Sequence, residues 1–467
     1  MKEILTSSAT RQATLVRERK ISSVELVEAH LRQITNINPR INAAVAVLPE
    51  IAFAGARAAD EAMARGKVPG PLHGVPFSIK DSIELDGTHC TAGTWGWRAA
   101  PASARDATVV RRMKQAGAIP IAKTNLPDLL FAFESDNLLF GTTKNPYDLS
   151  RTSGGSSGGE AALIAACGSP CGLGSDAAGS VRVPAAFCGI ASIKPTSGRL
   201  PRTGHVPPAG GWIEALWQIG PMARRVEDLC TMMGLLVGGD GKDPTVCESP
   251  FLNPADVNLS ELKIAFYTET QPAPTHPEVA EVVRRAAKYL AGEVELVQEE
   301  PLPALDQAYD LEMKLLGPDG GDSLRAYLSS IGSSKVHPLL TGWLEKLESY
   351  RTDLEGFARY WAEWDFWRSQ ASKYLSRYDA VVCPAYSQMA LPHGTSILDE
   401  NFRGFTHTMA FNVLGWPAAV LRCGTSGEGL PIAVQIASRP YREDIALAVA
   451  LLLESAFGGW KPPASIE

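Results

Sequence analysis

Three stretches decide the reading: GVPFSIKD at residues 74–81, RTSGGSSGGE at 151–160 and GSDAAGSVR at 174–182. In the first, Phe77-Ser78-Ile79 reads as a strand, which puts Lys80 at its end. In the second, a Gly/Ser loop runs into Glu160 to Cys167, a helix of small residues able to pack very closely. In the third, a short strand from Cys171 to Ser175 feeds a turn of Gly, Ala and Ser at Asp176 to Ser180. A lysine at a strand end and two serine-bearing loops are therefore offered by neighbouring parts of one fold.

Working outward, Ser22-Ser23-Val24-Glu25 is a capping box opening a helix with Leu26, Val27, His30 and Leu31 on one face, closed by Pro39. Residues 53–65 and 109–117 read as helices, and 118–122 as a buried strand followed by a loop from Lys123. Residues 190–193, 380–383 and 418–423 add strand character, whereas 244–388 are more helical and richer in aromatics. This alternation predicts an α/β fold. No linker interrupts it, so the expectation is one domain over 1–467: a helical segment (1–70), a core (71–240), a variable, more helical region (241–400) and a closing strand and helix part (401–467).

The 467 residues are 45% apolar and 20% charged, a globular composition. Forty-four basic against 51 acidic residues give a net charge of −7, which offers no general attraction for nucleic acid. The longest apolar run, Ile445 to Leu453, is half of what a membrane span needs. The N-terminal stretch shows no apolar signal core, so a cytoplasmic location is expected. The eight cysteines form no Cys-x-x-Cys pair and no His cluster has zinc-type spacing, so no metal is expected.

Several chemistries can be weighed against the loops. A nucleotide phosphate cradle would end in Gly-Lys-Ser/Thr, which is missing after Gly159. Gly154 to Gly158 fits the Gly-x-Ser-x-Gly elbow, but that motif needs a strand before it, and Asn145-Pro146-Tyr147-Asp148 is none. Ser135-Asp136-Asn137 and Ser260-Glu261-Leu262-Lys263 occur in the wrong order for a penicillin-binding site, with no Lys-Thr-Gly. What remains is either a nucleophile and base system of serines and a lysine, without histidine, or plain turns beside a solvated lysine.

Taken together, the three stretches resemble the amidase signature family, with motifs closest to its fatty amide hydrolase and aryl acylamidase branch. Ile193-Lys194-Pro195-Thr196, Gly220-Pro221-Met222 and Gly415-Trp416-Pro417 extend the likeness over nearly the whole chain. The resemblance implies one large α/β domain whose twisted, mixed central sheet is covered by helices on both faces. It implies Ser180 as nucleophile, Ser156 as bridging serine after a cis Gly155–Ser156 peptide, and Lys80 as general base. The backbone N–H groups of Ala177, Ala178, Gly179 and Ser180 would form the oxyanion hole, with Ala178 where the family usually has a second glycine. Asp176, Arg182 and Lys194 would be scaffold.

For Lys80 to act as a base it must be neutral, which needs its pKa lowered by roughly three units from ~10.4. Asp81, next along an extended strand, points to the opposite face. The substrate side is implied to be Leu129, Leu130, Phe131, Ala132 and Phe133, with Gly155, Ser175, Trp212 and Trp217. That apolar lining predicts a small uncharged apolar or aromatic amide, ester or carbamate (urethane). Two alternatives stay open: the glutaminase subunit of a tRNA-dependent amidotransferase, and a non-enzymatic binding protein on the same scaffold. The family needs no cofactor and often forms homodimers.

Overall fold

The computed structural model describes residues 1–208 and 212–464, without the side chain of Trp212. One eleven-stranded sheet runs through the described residues, in the order β1-β3-β2-β4-β6-β5-β10-β11-β9-β7-β8. The strands are β1 (Ala44–Val47), β2 (Pro76–Lys80), β3 (Ile119–Thr124), β4 (Cys171–Asp176), β5 (Ala191–Lys194), β6 (Gln218–Ala223), β7 (Lys263–Phe266), β8 (Leu296–Glu299), β9 (Ala380–Pro384), β10 (Ala418–Thr425) and β11 (Pro431–Ser438). β2 is parallel to both β3 and β4, and β7 is parallel to both β8 and β9. The other pairings are antiparallel, so the sheet is mixed.

Period-two alternation sends side chains to two cores. Phe77 and Ile79 of β2, Leu421 of β10 and Val434 and Ile436 of β11 face a core shared with helices Val226–Leu236 and Glu443–Phe457. Val420 and Ala433 face the opposite core, made with helices Ser23–Ile41, Gly158–Ala165 and Arg182–Phe187. Ser78 and Lys80 leave β2 on this second side, because they alternate with Phe77 and Ile79. Every residue of helix Gly158–Ala165 is buried, and its run of Gly and Ala is what lets it lie so close to the sheet.

The capping box at Ser22 is present, with Glu25 returning a bond to the Ser22 N–H, an arrangement worth about 1 kcal/mol. Pro39 does not close that helix, which continues to Ile41 and ends on a left-handed Asn42. The proline sits in the final turn, where little helix remains to be disturbed. The Asn42 N–H still reaches the Asn38 carbonyl at 2.8 Å. Strand β3 likewise runs past the expected boundary through Lys123 and Thr124.

Candidate active site

Lys80 ends β2 under the helix that follows the serine loop. Its Nζ lies 2.6 Å from Ser156 Oγ, 3.1 Å from Ser175 Oγ and 3.5 Å from the Ser175 carbonyl oxygen. Burial pushes the amine down to about 7, against the opposing pull of Asp176 and Glu160. Glu160, also fully buried, is itself pushed up to about 8 by desolvation, despite hydrogen bonds from Ser78 and Thr124. Burial thus works against the charged form of both groups. Asp81 turns away: Oδ1 is 3.3 Å from Lys123 Nζ, and Oδ2 accepts from the Thr91 N–H and hydroxyl at 3.1 and 2.5 Å.

The two loops are tied together next to this amine. The Gly155–Ser156 peptide is cis. The Ser157 N–H donates to the Ser180 carbonyl at 3.0 Å, and the Ser157 hydroxyl to the Ser175 carbonyl at 3.2 Å. Gly155 does not line the cavity. A Cβ there would come within 2.5 Å of the Ala132 carbonyl and the Glu134 N–H, so glycine lets the serine loop press against the backbone of 132–134.

The turn before Ser180 is built around Asp176. Its carboxylate accepts the Gly179 N–H at 2.9 Å, the Val181 N–H at 3.1 Å, two bonds from Arg182 at 3.0 and 2.9 Å, and one from Asn412 at 2.9 Å. Burial alone would raise its pKa, but Arg182 and these donors hold it well below the usual carboxylate range. The left-handed torsion of the turn falls on Gly179, at φ +128°, and not on Ala178, so alanine is accommodated there. Because the Gly179 N–H is given to Asp176, the remaining expected donors are Ala177, Ala178 and Ser180. No protein acceptor takes their N–H groups among the described residues.

Ser156, Ser175, Ala177, Ala178 and Ser180 open on a cavity of about 130 Å³. Ser180 remains 7% exposed while Lys80 is fully covered, so the serine and not the amine is open to the cavity. Leu129, Leu130, Phe131, Ala132, Phe133 and Trp217 line the cavity; the side chain of Trp212 lies outside the described residues. Leu129 and Leu130 hold left-handed torsions, φ +48° and +69°, rare for leucine and a sign of a tightly specified loop. Residues 241–400 contribute Leu316 and Trp343, the latter edge-on to Phe131 with ring centroids 5.8 Å apart. His205 also faces the cavity. No motif pointed to these three residues; their signal is visible only once the chain folds.

The cysteines are free thiols. Burial raises the thiol pKa of both Cys167 and Cys171, as expected of packing residues rather than nucleophiles. Among the described residues no group of three or more His, Cys, Asp or Glu could hold a metal ion, and no helix is long and apolar enough to cross a membrane.

Comparison with known proteins follows the same lines. The family described as Amidase matches residues 25–447. The chain is 31% identical to fatty-acid amide hydrolase 2-A of Danio rerio, over 98% of this chain and 90% of that one. It is also 31% identical to a glutamyl-tRNA(Gln) amidotransferase subunit of Moorella thermoacetica, over 97% of each. Among solved structures, 6-aminohexanoate cyclic dimer hydrolase complexed with substrate superposes with a TM-score of 0.87 at 28% identity, covering 99% of this chain and 100% of that one.

Proposed function

We propose that this chain, which belongs to the amidase family, cleaves small, uncharged, apolar or aromatic amides through an acyl-enzyme on Ser180, with esters and carbamates of similar shape as further substrates. Members of that family are hydrolases of amide C–N bonds, which sets aside a purely binding role. The observation that carries the mechanism is the buried Lys80 amine, lowered to about 7 and 2.6 Å from Ser156 Oγ, beside a cavity that Ser156 and Ser180 both line.

Ser180 Oγ attacks the carbonyl carbon as its proton passes to Ser156, and the Ser156 proton passes to the Lys80 lone pair. General base assistance of this kind is worth about 10²–10⁴ in rate. The oxyanion is met by the free N–H groups of Ala177, Ala178 and Ser180, each typically worth about 3 kcal/mol of barrier. Lys80 then returns its proton through Ser156 to the leaving nitrogen, the C–N bond breaks, and the acyl group stays on Ser180. Water, deprotonated along the same chain, releases the acid and restores the serine.

The cavity sets the substrate class. At about 130 Å³ it is close to the ~150 Å³ apolar cavity that admits benzene, so it suits one aromatic ring or a short acyl chain. The substrates named for the two hydrolase relatives, a fatty-acid amide and a 6-aminohexanoate cyclic dimer, have hydrocarbon chain in common.

Likeness to the amidotransferase relative favours a second reading, glutamine hydrolysis in a larger assembly. The lining offers little to a zwitterion: its one carboxylate, Asp176, is already paired with Arg182. The test is a panel of para-nitroanilides, para-nitrophenyl esters and aryl carbamates with short, long and aromatic acyl groups, beside glutamine, on wild type and Ser180→Ala. Turnover of short or aromatic acyl substrates, lost in Ser180→Ala, supports the proposal; turnover of glutamine alone replaces it with the second reading.

A further inference from the structure

We propose that His205 is a positioning residue: its Nε2 accepts a hydrogen bond from the Ser175 hydroxyl, leaving that oxygen only to accept from Lys80, so that the Lys80 lone pair faces Ser156. This rests on the reading of Lys80 as the base and names a residue that sets its direction.

The placement begins in the backbone. Just past Lys80, Ile83 pairs antiparallel with His205; the Val206 N–H donates to the Ser82 carbonyl at 2.7 Å and the Glu84 N–H to the Gly204 carbonyl at 2.9 Å. The segment carrying the base therefore also holds the histidine. Arg202 anchors the same loop through Asp243 at 3.1 Å and Glu214 at 2.5 Å. The imidazole lies against Trp217, ring centroids 4.5 Å apart.

Counting donors and acceptors gives the direction. His205 Nδ1 is 3.2 Å from the Pro207 carbonyl, which only accepts, so Nδ1 carries the hydrogen. Burial first, and the neighbouring Lys80 second, push the ring down to about 3, so it is neutral and Nε2 is a bare acceptor. Ser175 Oγ is 3.0 Å from that nitrogen, with Ser82 Oγ also in reach at 3.1 Å. With its single O–H directed to Nε2, the Ser175 oxygen can only accept from Lys80 Nζ, at 3.1 Å. A neutral amine has two N–H bonds and one lone pair. Ser175 Oγ and the Ser175 carbonyl take the N–H bonds, and the lone pair is left for the Ser156 hydroxyl at 2.6 Å. Without His205, the Ser175 O–H is free to occupy the lone pair that catalysis needs.

The charged groups around this chain are Asp176 at the end of β4, Glu160 on the serine-loop helix, and Arg202 beside the imidazole. None of them changes in the variants that test it. In His205→Gln the side-chain carbonyl reaches the position of Nε2; in His205→Asn the amide reaches only the position of Nδ1, keeping the Pro207 contact and losing Ser175. The Asn variant is expected to lose about 10- to 100-fold in kcat, the scale of a misplaced catalytic group, with KM within about twofold of wild type. The Gln variant is expected to keep most of the wild-type kcat.

The pH profile separates positioning from damage. In His205→Asn the freed Ser175 O–H stabilises the neutral amine, so the acid limb of kcat/KM moves to lower pH. Water admitted by a loosened site would move it upward. On a Ser175→Ala background, His205→Asn should change nothing further. Equal rates for Asn and Gln, an Asn variant as fast as wild type, an upward shift of the limb, or additive effects with Ser175→Ala would each overturn the proposal. Ser180→Ala measured alongside keeps the two readings apart: turnover there removes the serine mechanism itself, whereas a dead Ser180→Ala beside a fast His205→Asn removes only the role of His205.

Discussion

Replacing Lys80 with Met should abolish turnover and make the protein more stable, by an amount that depends on pH in a calculable way. The amine titrates near 7 in the fold and near ~10.4 in an unfolded chain, a gap of roughly 3.5 units, or about 5 kcal/mol. The sign follows from which state holds the proton more tightly. Between pH ~7 and ~10 the unfolded chain binds it and the folded chain does not, so wild-type stability rises with pH across that window; below pH ~7 the cost is present in full. Methionine removes the cost, but strands the Ser156 hydroxyl, worth about 1–3 kcal/mol if it stays unpaired, while Ser175 keeps His205. The net expectation is a gain of about 2–4 kcal/mol at pH 7, smaller by about 2 kcal/mol at pH 9. Urea unfolding of both proteins at the two pH values, followed by the fluorescence of the ten tryptophans, measures it. Lys194, which burial also lowers to about 7, is present in both and cancels. A stability difference that is the same at pH 7 and pH 9 would refute the account of a desolvated, neutral base.

Three more outcomes are expected. The wild-type rate should rise through an acid limb near pH 7 as Lys80 loses its proton, and a profile peaking near pH 5 would contradict a neutral lysine base. Gly179→Ala should cost activity by about 10²-fold, the scale of one misplaced oxyanion donor, because φ is +128° and the new Cβ would run into Thr408 Oγ1; kinetics on folded protein check this. Asp176→Asn should destabilise by about 3–5 kcal/mol by leaving the Arg182 charge buried without its partner, seen as a lower urea midpoint at pH 7.

The strands with apolar, bounded runs were legible in the sequence: β2, β4, β5, β9 and β10 lie where Phe77, Cys171, Ile190, Ala380 and Ala418 placed them. Strands β1, β7 and β8 were not. β1 and β8 are short and largely solvent-facing edge strands, and β7 is a four-residue strand inside a helical region, too brief to show a period. β6 hid behind Gly220 and Pro221, residues that ordinarily argue against a strand interior. At the site, Lys80, Ser156 and Ser180 stand in motifs, which is what makes them candidates from sequence, and the fold brings them to one place. Lys80 is buried on the side of the sheet away from Phe77 and Ile79, with its amine against Ser156 of the serine loop and Ser175 of β4. Trp343, Leu316 and His205 come from segments with no local signature and meet the cavity only through long-range packing.

The proposed chemistry is one covalent event at Ser180, activated through Ser156 and Lys80. The most direct measurement is to treat wild type and Lys80→Met with an aryl fluorophosphonate, digest each, and locate the adduct by mass spectrometry. The expected result is a single adduct on the peptide bearing Ser180, formed rapidly in wild type and only slowly in Lys80→Met. An adduct elsewhere, no adduct in wild type, or equal rates in the two proteins would contradict it.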